Sequence, residues 1–475
     1  MTKSTRRSFT RRQFMGQSTA FLTHVAALPP TLAIPACRSL DRVFLGESRD
    51  DSERVTILGA GLAGLSAAYH LKRRQIPFQV FEATARPGGR LYHLPDFLPD
   101  QSVAELGAEF FSSEHKSVLE LAKDLRLEIR EEKPKKFFRA KNQLVPLDKL
   151  NIELRKLQHS KDANQGLLPE MPFDQWMNSA TSDELLRELM AEWCRQRFGL
   201  EPDQISAAHW QMEMRKGPLG SAPRHRLANG TGLLAQALFE RVSGYQSDLL
   251  FAFRHEWKAL RLRPQGYELV FATPNGEERV LAKAVICAVP LAVLKGIDGI
   301  ENLAGPWDQT DPFRMGNHSR LLLSYKQRFW AKPLREGELH LLAPGQTLWE
   351  SSFQLNTLAP LRRGLLTLQW GGEGAKQAGP ESLTDCQKEL AKIFPAAREA
   401  ELMDQEVMNW GLRPLAQGSI SAPWSGLQTF RWKSDQVNWQ WAGEHTSEKW
   451  RGSLEGALES GNQAVLRIAR ERNQR

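Results

Sequence analysis

A chain of 475 residues, 41% apolar and 25% charged, is too long for one compact core and too ordinary in composition to be disordered or fibrous. Its net charge of +8 does not mark a nucleic-acid binder: Lys3, Arg6, Arg7, Arg11 and Arg12 stand in residues 1–37, which hold no acid, so five of the eight charges belong to the N-terminus. Four widely spaced cysteines, Cys37, Cys194, Cys287 and Cys386, form no CxxC or Cys/His cluster, so neither a metal site nor a disulfide framework is expected, and no run of about 18 apolar residues offers a membrane-spanning helix.

In chain order, Ser8-Phe-Thr-Arg-Arg-Gln-Phe-Met15 precedes a modestly apolar stretch from Ala20 to Leu28. Paired arginines ahead of Phe14 and a weakly hydrophobic region resemble a twin-arginine export signal, which carries folded, cofactor-loaded proteins across a membrane. That resemblance implies a signal over residues 1–37 and a periplasmic destination. Ile34-Pro-Ala-Cys37 is similar to a lipoprotein cleavage box, with Pro35 departing from the pattern, and would place a lipid anchor at Cys37. Residues 38–53 read as a polar linker.

Val55 to Leu58 is a short apolar run with β-branched residues, as in a buried parallel strand. It enters Gly59-Ala60-Gly61-Leu62-Ala63-Gly64 and a helix of small residues. In such a turn the first glycine permits the bend, the second admits a pyrophosphate, and the third packs helix on strand, while the helix N-terminus offers free N–H groups to phosphate. A second strand, Phe78 to Glu82, ends in an acid 23 positions beyond Gly59, where a carboxylate can accept from ribose hydroxyls. Next comes Arg86-Pro-Gly88-Gly89-Arg90, whose glycines allow close passage of a ligand and whose arginines suit a diphosphate.

These three elements together resemble the FAD-binding head of the flavin-containing amine oxidases, the group of monoamine, polyamine and L-amino-acid oxidases. The resemblance implies an α/β fold with a Rossmann-like FAD-binding domain, assembled from residues 54–130, 226–298 and 406–475, and an interleaved α+β substrate-binding domain from 131–225 and 299–405. It implies that Gly107-Ala108-Glu109-Phe110 runs along the flavin ahead of His115 and an amphipathic helix over Val118 to Leu125. Trp176, Trp193 and Trp210 read as helical core residues. Arg226 to Leu233 opens a helix, strands follow around Trp257 to Leu262 and Tyr267 to Phe271, and Ala284 to Pro290 is a buried strand. Trp257 falls where the family contacts adenine through the backbone, and Cys287 reads as a buried, inert thiol. Leu321 to Trp330 alternates as a strand does.

The family has a lysine at the position of Arg320, where it holds a water near the flavin N5. Arg320 keeps the charge on a planar fork. The stretch from Trp441 to Gly461 resembles the family's closing motif: Gly443 and Glu444 meet the ribityl and phosphate region, and a helix starting near Leu454 aims its N-terminus at the flavin. Two aromatic cage positions of the monoamine oxidases fall on Ile420 and Ser453, neither aromatic, leaving Trp450 to supply one wall beside them. Ser419 stands where some members attach FAD through cysteine, so the FAD is expected to be noncovalent.

Arg320 and Trp450 are therefore the catalytic candidates, and Ile420, Ser453 and Trp450 the substrate candidates. The implied reaction is oxidation of an amine or amino acid to an imine, with oxygen reduced to hydrogen peroxide. Two alternatives stay open: a dehydrogenase or desaturase of an apolar substrate with another electron acceptor, and an exported FAD-containing binding or assembly protein without turnover.

Overall fold

The computed structural model describes residues 49–50, 54–94, 97, 104–133, 135–140, 143–158, 168, 170–214, 224–303, 313–330, 337–340, 345–351, 363–424, 432 and 436–473. The export signal and Cys37 lie outside the described residues. Of the expected linker, Arg49–Asp50 is seen as a two-residue strand paired in parallel with Gly276–Ala282.

A five-stranded parallel sheet holds the centre of the nucleotide-binding half, in the order Phe251–Phe253, Phe78–Glu82, Val55–Leu58, Ala284–Cys287, Trp439–Trp441. Its strands are short and buried on both faces, which is why their sequences read as continuous apolar runs. One face is covered by the helices Leu62–Arg73, Leu233–Ser243 and Leu454–Asn473, through Leu65, Leu238, Val465 and Ile468. The other is covered by an antiparallel meander, Glu256–Arg263, Gly266–Thr273 and Gly276–Ala282, whose Trp257, Leu269 and Phe271 pack with Phe81 and Trp439 of the sheet. Each of the stretches 54–130, 226–298 and 406–475 contributes at least one strand to the parallel sheet.

The second sheet has seven strands, in the order Leu402–Asn409, His318–Tyr325, Gly364–Gly371, Gln346–Glu350, Gly337–His340, Lys135–Ala140, Gln143–Pro146. All its pairs are antiparallel except Gly337–His340 with Lys135–Ala140. Beside it the helices Phe173–Ala180, Glu184–Phe198 and Ala207–Met214 bury Trp176, Trp193 and Trp210, with Phe173 stacked on Trp210 at 4.7 Å. The three tryptophans are thus core residues. Glu184–Phe198 starts where Asp183 accepts from the Leu185 and Leu186 amides and stops at Gly199, φ 65°, which sets Arg197 in its last turn.

Three expected domain boundaries fall inside strands. The limit at 130/131 cuts Ile129–Glu132, the limit at 225/226 cuts Arg224–Leu227, and the limit at 405/406 cuts Leu402–Asn409. Ile420–Pro423, assigned to the nucleotide-binding part, pairs instead with Phe313–Gly316 from the other part. Composition does not change at these points, because each lies within one continuous strand.

Candidate functional site

The carboxyl ends of the parallel strands open on a cavity of 820 Å³. Leu58 runs into Gly59, whose φ of +95° no side chain adopts readily, and the Gly59 amide donates to the Phe81 carbonyl at 2.7 Å. A Cβ on Gly64 would stand 1.9 Å from the Gly59 oxygen, so the third glycine is needed for the turn itself. A Cβ on Gly61 would meet no atom within 4 Å: this glycine faces open cavity. Two motif positions take no part in the lining. Ala60 is buried and donates its amide to Glu82 Oε2 at 2.7 Å, and Gly64 is packed behind the turn. Ala63 lines the cavity.

Glu82 also lines it, accepting through Oε1 from the Thr84 amide and hydroxyl at 2.9 and 2.8 Å. A carboxylate has about four acceptor positions, so capacity remains for a ribose hydroxyl. Gly88 and Gly89 line it directly beside the turn, the Gly88 amide donating to the Ala60 carbonyl at 2.8 Å, and are held by Arg86, whose guanidinium donates to the carbonyls of Pro87, Gly89 and Leu91 at 3.0, 2.7 and 3.1 Å. Arg90 Nη1 donates to Glu444 Oε1 and to the Ser419 carbonyl, both at 2.9 Å. Glu444 further accepts from Ser421 Oγ at 2.5 Å and from the Gly452 amide at 3.0 Å. Burial alone would raise the Glu444 carboxyl, but Arg90, His445 and the Ser421 bond hold it below the ordinary carboxylate range.

Within Gly107-Ala108-Glu109-Phe110 the expected uniform role divides. Ala108 and Phe110 line the cavity. Gly107 does not; a Cβ there would lie 2.2 Å from the Arg90 oxygen, so its smallness serves strand packing. Glu109 is buried away from the lining, between Arg226 at 2.9 Å and Arg320 at 3.3 Å. Arg226 continues to Glu132, Glu132 to Arg224, and Arg224 to Glu338, a buried line of alternating charges. The Arg224 guanidinium sits 3.7 Å from the Phe110 ring centroid.

Arg320 does not line the cavity. Its Nε donates to Gln369 at 3.1 Å and its Nη1 to Glu109 and the Glu105 carbonyl at 3.3 Å, so the guanidinium is occupied within the wall. Trp450 is also absent from the lining; it sets its ring edge-on to His115 at 5.2 Å, and His115 forms the wall. Ile420 lies behind Gly452, whose added Cβ would meet its side chain at 2.7 Å. These three candidates therefore reach the cavity through neighbours. Ser453 lines it directly, accepting the Gly456 amide at 3.2 Å as the cap of Leu454–Asn473, and Leu454 and Ala457 continue the wall along that helix's first turn. Gly443 lines it too, its amide tied to Ser460 Oγ at 2.9 Å. Trp257 lines it with its indole turned back to the Ala259 carbonyl at 2.8 Å, across an irregularity in the strand.

Several wall residues carried no signal in the sequence. Trp410, donating to the Leu106 carbonyl at 3.0 Å, reads as core by composition; Tyr92, Arg197 and Arg413 sit in no motif. Burial pulls the His115 pKa below the usual imidazole value, against the opposing effect of Glu455. His445, lowered to about 4 by burial, lines the cavity with neither ring nitrogen bonded among the described residues.

The residues fit FAD. An open glycine turn at a helix N-terminus, an acceptor at Glu82, a capped second helix and buried polar ring atoms without protein partners line one cavity. Ser419 Oγ is bonded to His318 at 2.7 Å and to the Gly316 carbonyl at 3.1 Å, and Cys194, Cys287 and Cys386 are buried away from the lining, with burial pushing the Cys287 thiol up to about 12. Among the described residues no group of side chains could hold a metal ion, and no helix is long and apolar enough to cross a membrane.

The flavin containing amine oxidoreductase family model matches residues 62–469. The protein AofH of Mycobacterium tuberculosis, which carries the name of a flavin-containing monoamine oxidase, is 24% identical over 87% of this chain and 96% of its own length. Flavin-containing amine oxidase A of Equus caballus is 22% identical, with 87% and 84% covered. Among solved structures, cyclohexylamine oxidase from Brevibacterium oxydans superposes with a TM-score of 0.71 at 19% identity, over 89% of this chain and 100% of that one, and putrescine oxidase with 0.68 at 17%, with the same coverage. The α/β fold with its Rossmann-type cofactor half is thus shared, the cofactor is FAD held noncovalently, and the protein is an oxidoreductase. With well over half of the chain, residues 62–469, inside the family model, it belongs to the flavin-containing amine oxidoreductases.

Proposed function

We propose that the chain oxidises a primary or secondary amine, or an amino acid, to the imine. Bound FAD supplies the two-electron acceptor for the carbon–hydrogen bond beside nitrogen, with oxygen as the final oxidant giving hydrogen peroxide. The observation that carries this reading is that the cavity entered by the glycine turn is also walled by Tyr92, Phe110, Met408, Trp410 and His115, whose burial disfavours its charged form. A protonated nitrogen cannot push electrons toward an imine. Apolar walls desolvate the ammonium form and favour the free amine. Arg197, on the same wall and paired with Glu213 at 3.1 Å, supports including amino acids, because a guanidinium matches a carboxylate. Ser453 caps a helix whose first turn, at Leu454 and Ala457, lines the cavity, and the positive end of that helix dipole suits negative charge developing there.

The expected result is a yellow protein whose visible absorbance is bleached anaerobically by some member of an amine and amino-acid panel, with peroxide formed in air. A panel that neither bleaches the flavin nor yields peroxide would sink the proposal. One observation favours a dehydrogenase of an apolar substrate as the second reading: Ile420 and Ser453 provide no aromatic pair. Slow reoxidation of the reduced protein on stopped-flow mixing with oxygen would select it. Export through residues 1–37 belongs to the same proposal and rests on Arg11 and Arg12. That segment should carry a folded reporter to the periplasm, and replacing both arginines by lysine should stop it; transport that continues unchanged would remove this part.

A further inference from the structure

We infer that Arg224 is a specificity-determining residue: it holds a positive charge against the back of Phe110 and so makes the cavity turn away ammonium groups in favour of uncharged ones. The inference rests on the amine reading above. Strand register puts the side chain in place. Arg224–Leu227 pairs antiparallel with Phe111–Ser112 and with Ile129–Glu132, so that Arg224 stands opposite Ser112 and Glu132. Side chains alternate along a strand, and His225 takes the other face, stacked on Phe111 at 5.9 Å. Arg224 is left on the face of Phe110. A guanidinium carbon 3.7 Å from the ring centroid lies over a ring face, because an approach in the plane would run into the ring's own hydrogens. Phe110 lines the cavity and Arg224, its side chain 14% exposed, does not. The cavity meets the ring, with the charge behind it.

An aromatic face ordinarily attracts a cation through the ring quadrupole. Here one face is already taken. A second cation on the cavity side would meet a ring polarised toward Arg224, together with the guanidinium charge itself across a wall of low dielectric. The groups around Arg224 decide how much of that charge is felt. Glu132 at 3.2 Å and Glu338 hold it; Arg226 joins Glu132 and, at 2.9 Å, Glu109, while Lys136 at 3.0 Å and His340 at 3.5 Å stand on Glu338. None of these three carboxylates lines the cavity, so the end of the cluster that lies against the ring is the positive one. Burial lowers the Arg224 pKa to about 10, with Glu132 opposing, and the side chain keeps its charge at neutral pH. The carboxylates that do line the cavity are engaged as well: Glu444 by Arg90, Glu256 by Lys258 and Glu82 by the Ala60 and Thr84 amides. Tyr92 repeats the arrangement, with the Arg86 guanidinium 4.1 Å from its centroid.

The test titrates the flavin-loaded protein at neutral pH with choline, whose charge no pH removes, and with 3,3-dimethylbutan-1-ol, its uncharged counterpart of the same shape. Binding is read from the perturbed visible absorbance of the flavin. Wild type should prefer the alcohol by about 10-fold or more, the scale of one like-charge contact near a protein wall. Arg224→Gln combined with Glu132→Gln removes the charge and one carboxylate that holds it, leaving the Arg226 to Glu109 and Lys136 to Glu338 pairs intact. In that protein the preference should fall below about threefold, since no buried carboxylate loses its last partner. Arg224→Lys keeps the charge and should keep most of the preference. Should the double variant fail to fold, Glu132→Gln alone decides: it uncovers the Arg224 charge and should raise the preference. A wild type without preference, including one that binds neither probe, would overturn the assignment. So would an unchanged preference in a double variant whose circular dichroism and flavin content match wild type, or a Glu132→Gln protein whose preference stays level or drops. A wild type that shows the preference yet is bleached by no amine would instead refute the amine reading and leave the exclusion of cations standing.

Discussion

Gly61→Val is expected to give a folded protein that purifies without flavin. The backbone there is extended, with φ −68° and ψ 178°, so a β-branched residue meets no conformational objection, and its Cβ would touch no protein atom within 4 Å. The cost falls on the ligand alone. An isopropyl group would stand in the space beside the free N–H groups of Leu62–Arg73, and displacing FAD from that surface should weaken it on the order of 100-fold, the upper end of about 1–3 kcal/mol for forcing added methyls into an occupied space. Absorbance at the flavin band and isothermal titration of the stripped protein provide the check, with circular dichroism as the control. Gly64→Ala makes the contrast: its Cβ would collide with the Gly59 carbonyl at 1.9 Å, so that variant should lose the turn and much of its soluble yield. A Gly61→Val protein with full flavin content would show that the cavity beside the turn does not hold the diphosphate.

Glu444→Ala should cost about 3 kcal/mol of stability, together with flavin content. The carboxylate ties Arg90, Ser421 and the Gly452 amide into one buried cluster, and removing one partner of a buried pair costs about 3–5 kcal/mol; the low end applies because Arg90 keeps 23% of its side chain exposed. The pH dependence has a definite sign. The folded-state pKa of Glu444 lies below the ordinary carboxylate value, so its contribution is fully present above that value and is lost as pH falls through the depressed one. Glu444→Gln keeps the shape and removes the charge, so its unfolding midpoint should fall less than the alanine variant's at pH 7 and approach the wild type's in acid. Denaturant midpoints measured from pH 7 down to pH 3 decide it; an alanine variant as stable as wild type at pH 7 would refute the cluster's role.

The strands, the glycine turn and the capped last helix were legible because each is a local pattern: Val55 to Gly64, Phe78 to Glu82 and Ser453 to Leu458 carry their structural reasons within a few residues. Arg320 and Glu109 show where that legibility stops. Both match family positions, yet which groups they touch depends on Arg226 and Gln369, far away in the chain. Trp410 and Trp210 are alike as letters. One lines the cavity and the other is buried in a helical core, a difference decided by what packs around each. The expected boundaries at 130/131, 225/226 and 405/406 fall inside strands for a related reason, since a continuous strand leaves no break in composition.

The parallel sheet takes its middle strand from Val55–Leu58 and an outer strand from Trp439–Trp441, and Arg90 is joined to Glu444 across 354 positions of chain. Such long separations make for slow assembly, since loop closure must precede the contacts that reward it. During synthesis the glycine turn emerges early but has only half a cavity beside it, until Gly443 to Ala457 have left the ribosome and docked. Flavin capture is therefore among the last events in this protein's biogenesis, and a nascent chain stalled before Trp439 would expose Ala284–Cys287 as an unpaired apolar edge, a target for chaperones or for aggregation.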